Sequence, residues 1–224
     1  MTTTRHCRGV TPSNLATGPF NEEATPLLAN AGIDYGRLAW AKQVHGNAIA
    51  RVGQNGGRFA EGADVLITDA RGVGLAIFTA DCLALTICDE DAGVLAIAHA
   101  GWRGTVRDVP GVAVAALREL GARPERVRVA ITPSIGPCCY EVDEPVTQEL
   151  GAAFPDLWNR WVTPVRPGHV MLDLWTANED LLARAGVDRA RIDNARACTA
   201  CHRDIFYSYR KGDRGRLVTV IALP

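Results

Sequence analysis

Three side chains offer this sequence its chemistry: His45 in KQVHG, Cys82 in TADC and His99 in HAGWRG. A thiolate and two imidazoles can share one metal ion, with bonds of about 2.3 Å to sulfur and about 2.0–2.1 Å to nitrogen. A set of three ligands leaves a fourth position open, which is the arrangement of catalytic zinc. The same donors describe blue copper, which adds a weak axial ligand such as methionine. Besides the initiator, only Met171 could supply one. Cys82 and His99 could also work without metal, as nucleophile and base.

The surrounding elements decide whether these groups meet. Residues 83–88 and 94–99 are apolar runs separated by Asp89-Glu90-Asp91-Ala92-Gly93, a combination of acids and glycine that reads as the turn of a hairpin. A turn centred between Glu90 and Asp91 sets Cys82 opposite His99, with Cβ atoms about 4.5–5.5 Å apart. Gly46 frees the backbone beside His45, where a strand ends or turns. Both alternating faces of the hairpin are apolar, Leu83, Leu85 and Ile87 on one and Ala84, Leu95 and Ile97 on the other, so both are covered.

Residues 49–52, 64–68, 73–79, 205–209 and 217–223 read as further strands, and 53–57 as a loop. Helices are expected from Pro110 to about Leu120 before Gly121, from near Glu144, and from Asp173 to about Ala185 before Gly186. Sheet first and helices later, with more strands at the end, suggests a mixed α+β architecture instead of a regular βαβ winding, in a single domain over 1–224.

Arg103 and Trp102 follow His99 and enter the same mouth. A guanidinium suits phosphate or carboxylate and a ring can stack on a base, although Arg103 could instead pair with Asp108. Arg210, Lys211, Arg214 and Arg216 form a basic cluster that fits an anionic substrate. Asp81 reads either as the partner that orients a ligating imidazole or as a solvated turn residue. Cys198-Thr199-Ala200-Cys201-His202 spells the attachment motif of c-type haem, but no export signal accompanies it. A zinc ribbon needs a second CxxC, and the nearest pair is the adjacent Cys138-Cys139. The motif therefore reads as structural or incidental, and Cys138 and Cys139 as two thiols in a tight loop.

With 224 residues, 47% of them hydrophobic, a well-buried core is within reach, and the net charge of −1 gives no electrostatic case for nucleic acid or an anionic membrane. No run of about 18 apolar residues and no signal-peptide pattern occur, so the expectation is a cytoplasmic protein whose seven cysteines are reduced.

The strings KQVHG at 42–46, ADVLITD at 63–69, TADCLALTICD at 79–89, AHAGWRG at 98–104, IGPCCYEV at 135–142 and FYSYRKGDRGR at 206–216 resemble, in this order, the YfiH family. That family is also called laccase-domain, polyphenol oxidase, peptidoglycan editing factor or, in animals, FAMIN type. The resemblance implies an α+β fold of mixed β-sheets flanked by helices, similar to a cysteine-hydrolase toxin domain. It also implies a metal site on His45, Cys82 and His99, the expected catalytic centre; Zn2+ suits these three ligands better than copper, and Cu2+ binding in vitro would follow from the Irving–Williams order. The implied partners are a purine nucleoside and phosphate: phosphorolysis of adenosine, inosine, guanosine or methylthioadenosine, and deamination of adenosine. Arg103, Asn14 and Arg210 are the expected substrate-binding residues. At the N-terminus RHCRGVTPSNLA departs from the family pattern, as does His202 after Cys201. The rival readings are a Cys/His thiol hydrolase or amidase that edits peptidoglycan precursors, and a copper polyphenol oxidase. Laccase chemistry needs on the order of ten histidines, and this chain has five.

Overall fold

The computed structural model describes residues 1–11, 18–57 and 59–223. Among them the chain runs α1 (Thr25–Asn30), β1 (Leu38–Lys42), β2 (Ile49–Arg51), β3 (Phe59–Glu61), β4 (Val65–Thr68), β5 (Gly74–Thr79), β6 (Leu83–Asp89), β7 (Val94–Ala100), α2 (Trp102–Val106), α3 (Val109–Glu119), β8 (Arg128–Ile131), β9 (Glu141–Asp143), α4 (Glu144–Ala153), β10 (Val162–Arg166), β11 (His169–Leu172), α5 (Leu174–Arg184), β12 (Ile192–Asn194) and β13 (Leu217–Ala222). The α+β class with mixed sheets is the observed one.

The two apolar faces of the β6–β7 hairpin set the layering. Strands in the order β12-β8-β6-β7-β4-β2 form a six-stranded sheet, antiparallel in its middle and parallel at both edges. Leu83, Leu85 and Ile87 lie in one core with Val114 and Leu117 of α3 and Leu181 of α5. Ala84, Leu95 and Ile97 on the other face meet Ala41, Leu75 and Ile77 of a four-stranded sheet ordered β13-β5-β1-β3. Leu38, Phe78 and Val220 on the outer face of that sheet are covered in turn by Phe20 and Leu28. The site described below opens where β1 and β7 end and β6 begins.

The helices begin where the sequence places them. Asp108, in the left-handed region at φ 53°, caps α3 by accepting from the Gly111 amide, with Pro110 in the first turn. Asp173 caps α5 through the Thr176 amide.

Two expectations need correction. The hairpin register pairs Ala84 with His99 and Leu83 with Ala100, two residues from the expected pairing. Asp89 continues the strand because its buried carboxylate accepts from the amides of Ala92 and Arg123 and pairs with Arg126. The turn is therefore confined to the four residues after it. Residues 205–209 form turns instead of a strand. Their amides are engaged locally, Phe206 with the His202 carbonyl and Ser208 with the Asp213 carboxylate.

Candidate active site

The two-residue slip leaves Cys82 and His99 on one face of the sheet, because side chains alternate with a period of two. Cys82 stands one step before Leu83, and Asp81 before it takes the left-handed region at φ 88°. His99 is the penultimate residue of β7. His45 lies in the loop after β1, also left-handed at φ 59°. Such conformations cost a non-glycine residue about 1–2 kcal/mol, so surrounding contacts must hold them. One donor atom from each of His45, Cys82 and His99 lies within 4.8 Å of the others. The Cys82 sulfur is 4.0 Å from His45 Nε2, and the two imidazoles meet edge to face with centroids 4.8 Å apart.

Asp64 builds this geometry. Fully buried at the start of β4, its carboxylate accepts from His99 Nδ1 at 2.8 Å and from the His45 amide at 3.0 Å through one oxygen. The other oxygen accepts from the amides of Val44 at 3.1 Å and Gly46 at 2.8 Å. One carboxylate thus fixes the strained His45 loop and the His99 tautomer, leaving His99 Nε2 free to face Cys82. From outside, Arg107 donates to the His45 carbonyl at 2.7 Å. Burial alone would raise the Asp64 pKa, but the hydrogen bonds from His99 and the Gly46 and Val44 amides hold it below the ordinary value. Sequence reasoning read Asp81 either as the partner that orients a ligating imidazole or as a solvated turn residue, and it is neither, being buried. Asp81 instead accepts from the Thr199 hydroxyl at 2.6 Å, the Ser208 hydroxyl at 3.1 Å and the Arg210 amide at 2.7 Å.

The metal-free site is a charged pair. Burial would raise the Cys82 thiol, yet the positive charge of His99 and hydrogen bonds from both histidines bring it down to about 6. Burial would likewise lower His99, but the Cys82 thiolate and the Asp64 carboxylate hold it up at about 9. Once a metal displaces the His99 Nε2 proton, the thiolate and two imidazoles, with donor atoms within 4.8 Å of one another, fit a borderline cation such as zinc.

Gly101 supplies the room. A Cβ there would stand 2.8 Å from the Cys82 sulfur and 3.4 Å from His45 Cδ2, while its backbone, at φ −83°, suits any residue. Gly101→Ala is therefore expected to fold with a melting temperature within a few degrees of the parent, yet to bind zinc at least tenfold more weakly in a chelator competition. Parental affinity in the folded variant would mean the sulfur does not need that position.

A cleft of about 500 Å³ opens in front of the three side chains, lined also by Lys42, Gln43, Phe78, Arg103, Tyr209 and Arg216. That size suits a small-molecule ligand. Gln43 staples the His45 loop to β5, exchanging hydrogen bonds of 2.7 and 2.8 Å with the Phe78 backbone. Arg103 lies in the cleft as expected and stacks on the Trp102 ring at 4.2 Å. Asp108 pairs with Arg184, so the alternative Arg103–Asp108 pairing does not form. Arg210 points elsewhere: its guanidinium donates to the Glu141 carbonyl, stacks over Tyr140 and lines the adjoining groove with Trp102. Asn14 lies outside the described residues. Sequence reasoning missed Asp64, Gln43 and Tyr209, although the resemblance to ADVLITD had marked the segment containing Asp64. Cys198 and Cys201 are not isolated either, for they meet Cys138 and Cys139 in a second group.

A family model described as multi-copper polyphenol oxidoreductase laccase matches residues 20–224. The chain belongs to this laccase family. It is 41% identical over 208 residues to a Deinococcus radiodurans protein named purine nucleoside phosphorylase, covering 92% of this chain and 78% of that one. It is 32% identical to adenosine deaminase RL5 of an unknown prokaryotic organism, over 83% of this chain and 74% of the relative. The crystal structure of YlmD from Geobacillus stearothermophilus superposes with a TM-score of 0.89 at 31% identity, covering 99% of this chain and 90% of that one. The multi-copper label does not describe the histidines of this laccase-family chain. His6 bonds to the Asp204 carbonyl and His169 to Glu141, and His202 is exposed, which leaves His45 and His99. Met171 sits in β11, paired with Glu141 and Thr163 and away from the cleft.

Proposed function

We propose that this chain is a zinc-dependent purine nucleoside enzyme that carries out phosphorolysis and deaminates adenosine. The observation that carries the reading is the convergence of His45, Cys82 and His99 on one side of a cleft lined by cations and aromatic rings, in a chain whose relatives are named for these two activities. Zinc held by the three side chains would supply Lewis-acid chemistry with one coordination position open. The protein's own contribution is placement. Asp64 holds the His99 proton on Nδ1, so that Nε2 serves as the donor. Phe78 and Tyr209 offer ring surface to a purine, and Arg103, Lys42 and Arg216 offer positive charge to a phosphate. Arg210, placed in the adjoining groove, serves in this reading by holding Tyr140 there and Asp81 behind Cys82.

Incubation with adenosine, with and without phosphate, tests the proposal. Adenine and ribose 1-phosphate should form only with phosphate, and inosine in either case. Arg103→Ala should impair the phosphate-dependent reaction at least tenfold more than the hydrolytic one, since a charged hydrogen bond worth about 1.5–3 kcal/mol is lost only where phosphate is bound. Equal loss of both would place Arg103 on the nucleoside. Zinc-loaded protein that leaves every purine nucleoside unchanged would refute the reading. The lowered thiol of Cys82 beside His99 supports one rival, a thiol hydrolase acting on peptidoglycan precursors.

A further inference from the structure

Four of the seven cysteines meet away from the cleft. The Sγ atoms of Cys138, Cys139, Cys198 and Cys201 all lie within 4.8 Å of one another, and that of Cys201 is 3.5 Å from both Cys138 and Cys139. We infer that these four thiolates form a second metal site, a closed structural zinc site independent of the His45–Cys82–His99 centre.

The spacing is that of a mononuclear ion. A tetrahedron with bonds of about 2.3 Å places its sulfurs about 3.8 Å apart; here two contacts are 3.5 Å and all the others stay within 4.8 Å. A disulfide joins two sulfurs at about 2.05 Å and needs one partner for each. Cys201 stands equally far from two, as a shared central ion requires. Four thiolates fill a tetrahedral shell, leaving no position for substrate, which is the pattern of structural zinc.

The cysteines are held in place by the fold around them. Ser134 bridges Cys198 in parallel fashion, and the Ser134 and Thr199 amides donate to the Ala197 and Ser134 carbonyls at 3.2 and 3.1 Å. Gly136 packs so tightly that a Cβ would stand 2.6 Å from the Trp175 ring, and Trp175 donates to the Ser134 hydroxyl at 2.7 Å. The Gly136 carbonyl accepts the turn bond from the Cys139 amide, and its own amide donates to the Cys198 sulfur at 3.2 Å. An amide aimed at a sulfur favours the thiolate form, which is the form that binds metal.

The site would act as a clip between two loops that meet at Asp81. Ile135 donates to the Asp81 carbonyl, while Thr199, Ser208 and the Arg210 amide hold its carboxylate. Asp81 is the residue whose left-handed backbone aims Cys82. The clip thereby braces one wall of the active cleft without touching its substrate.

Zinc X-ray absorption on the intact, zinc-replete protein tests this directly. With both sites filled the average is about two and a half sulfurs per zinc, and a value near four would mean that the four-cysteine site alone is filled; either supports the site. About one sulfur per zinc overturns it. Metal analysis gives a second arm. The parent should carry two zinc ions per chain, Cys82→Ala one, and Cys138→Ser/Cys201→Ser one. Full zinc in a folded Cys138→Ser/Cys201→Ser variant would overturn the proposal, as would a disulfide between these cysteines found by thiol counting in freshly isolated protein. Should that variant fail to fold, the absorption measurement on the parent decides.

Discussion

Asp64→Asn is expected to cost this protein both its metal and much of its stability. The carboxylate is fully buried and meets four N–H donors, two on each oxygen. An asparagine can offer its oxygen to one pair only, and whichever way its amide turns, the NH2 group faces two further donors. Losing two charge-assisted hydrogen bonds, at about 1.5–3 kcal/mol each, removes roughly 3–6 kcal/mol. For a chain of this size that lowers the melting temperature by on the order of 10 °C. Zinc affinity should fall about 10–100-fold even at temperatures where the variant is folded, because the His99 tautomer and the His45 loop lose their common anchor. Thermal melts and chelator competition on the same preparation measure both effects. A variant that melts lower but binds zinc as the parent does would make Asp64 a purely structural residue.

The hairpin that carries Cys82 and His99 was legible because it depends on periodicity. Two apolar runs around an acidic, glycine-containing stretch define it, and their two-sided pattern foretold coverage on both faces. The register was not legible, since it turns on whether Asp89 belongs to the strand or the turn. Contacts from Arg123 and Arg126, more than thirty residues away, decide that. The convergence survived because the error was an even number of residues. The 205–209 segment failed for another reason: Phe206, Tyr207, Ser208 and Tyr209 imitate a strand, while side chains bend it, Asp213 a few residues on through the Ser208 amide and Asp81, remote in sequence, through the Ser208 hydroxyl.

The site's ligands could be read from residue type, but their supports could not. Local sequence favoured Asp81, which adjoins Cys82, whereas Asp64 is far along the chain from every candidate ligand and reaches both histidines only through the fold. The four-cysteine group escaped a search for paired CxxC motifs because one of its halves is a vicinal pair. The turn from Gly136 to Cys139 points both sulfurs of that pair toward Cys201, a geometry no linear spacing rule encodes.

Cys82 is expected to behave in two distinct ways according to the metal. In metal-free protein its alkylation by iodoacetamide, followed on the Cys82 peptide by mass spectrometry, should show a midpoint near pH 6, because the His99 imidazolium favours the thiolate. His99→Ala removes that charge and should move the midpoint up toward the ordinary thiol range of about 8.5. The same pair makes metal-free stability depend on pH. The depressed Cys82 contributes stability that is lost as pH falls through about 6, and the raised His99 contributes stability that is lost as pH rises through about 9, so the metal-free melting temperature should be highest between them. Zinc should suppress the alkylation throughout this range, and Cys82→Ala should lose the cleft zinc and bring purine turnover to background. If metal-free protein instead turned over substrate as fast as the zinc-loaded form, and alkylation abolished that turnover, Cys82 would be a nucleophile and the peptidoglycan-directed reading would replace the metal one. Retention of cleft zinc by Cys82→Ala, by contrast, would remove the sulfur from the ligand set and leave two histidines unable to account for the binding.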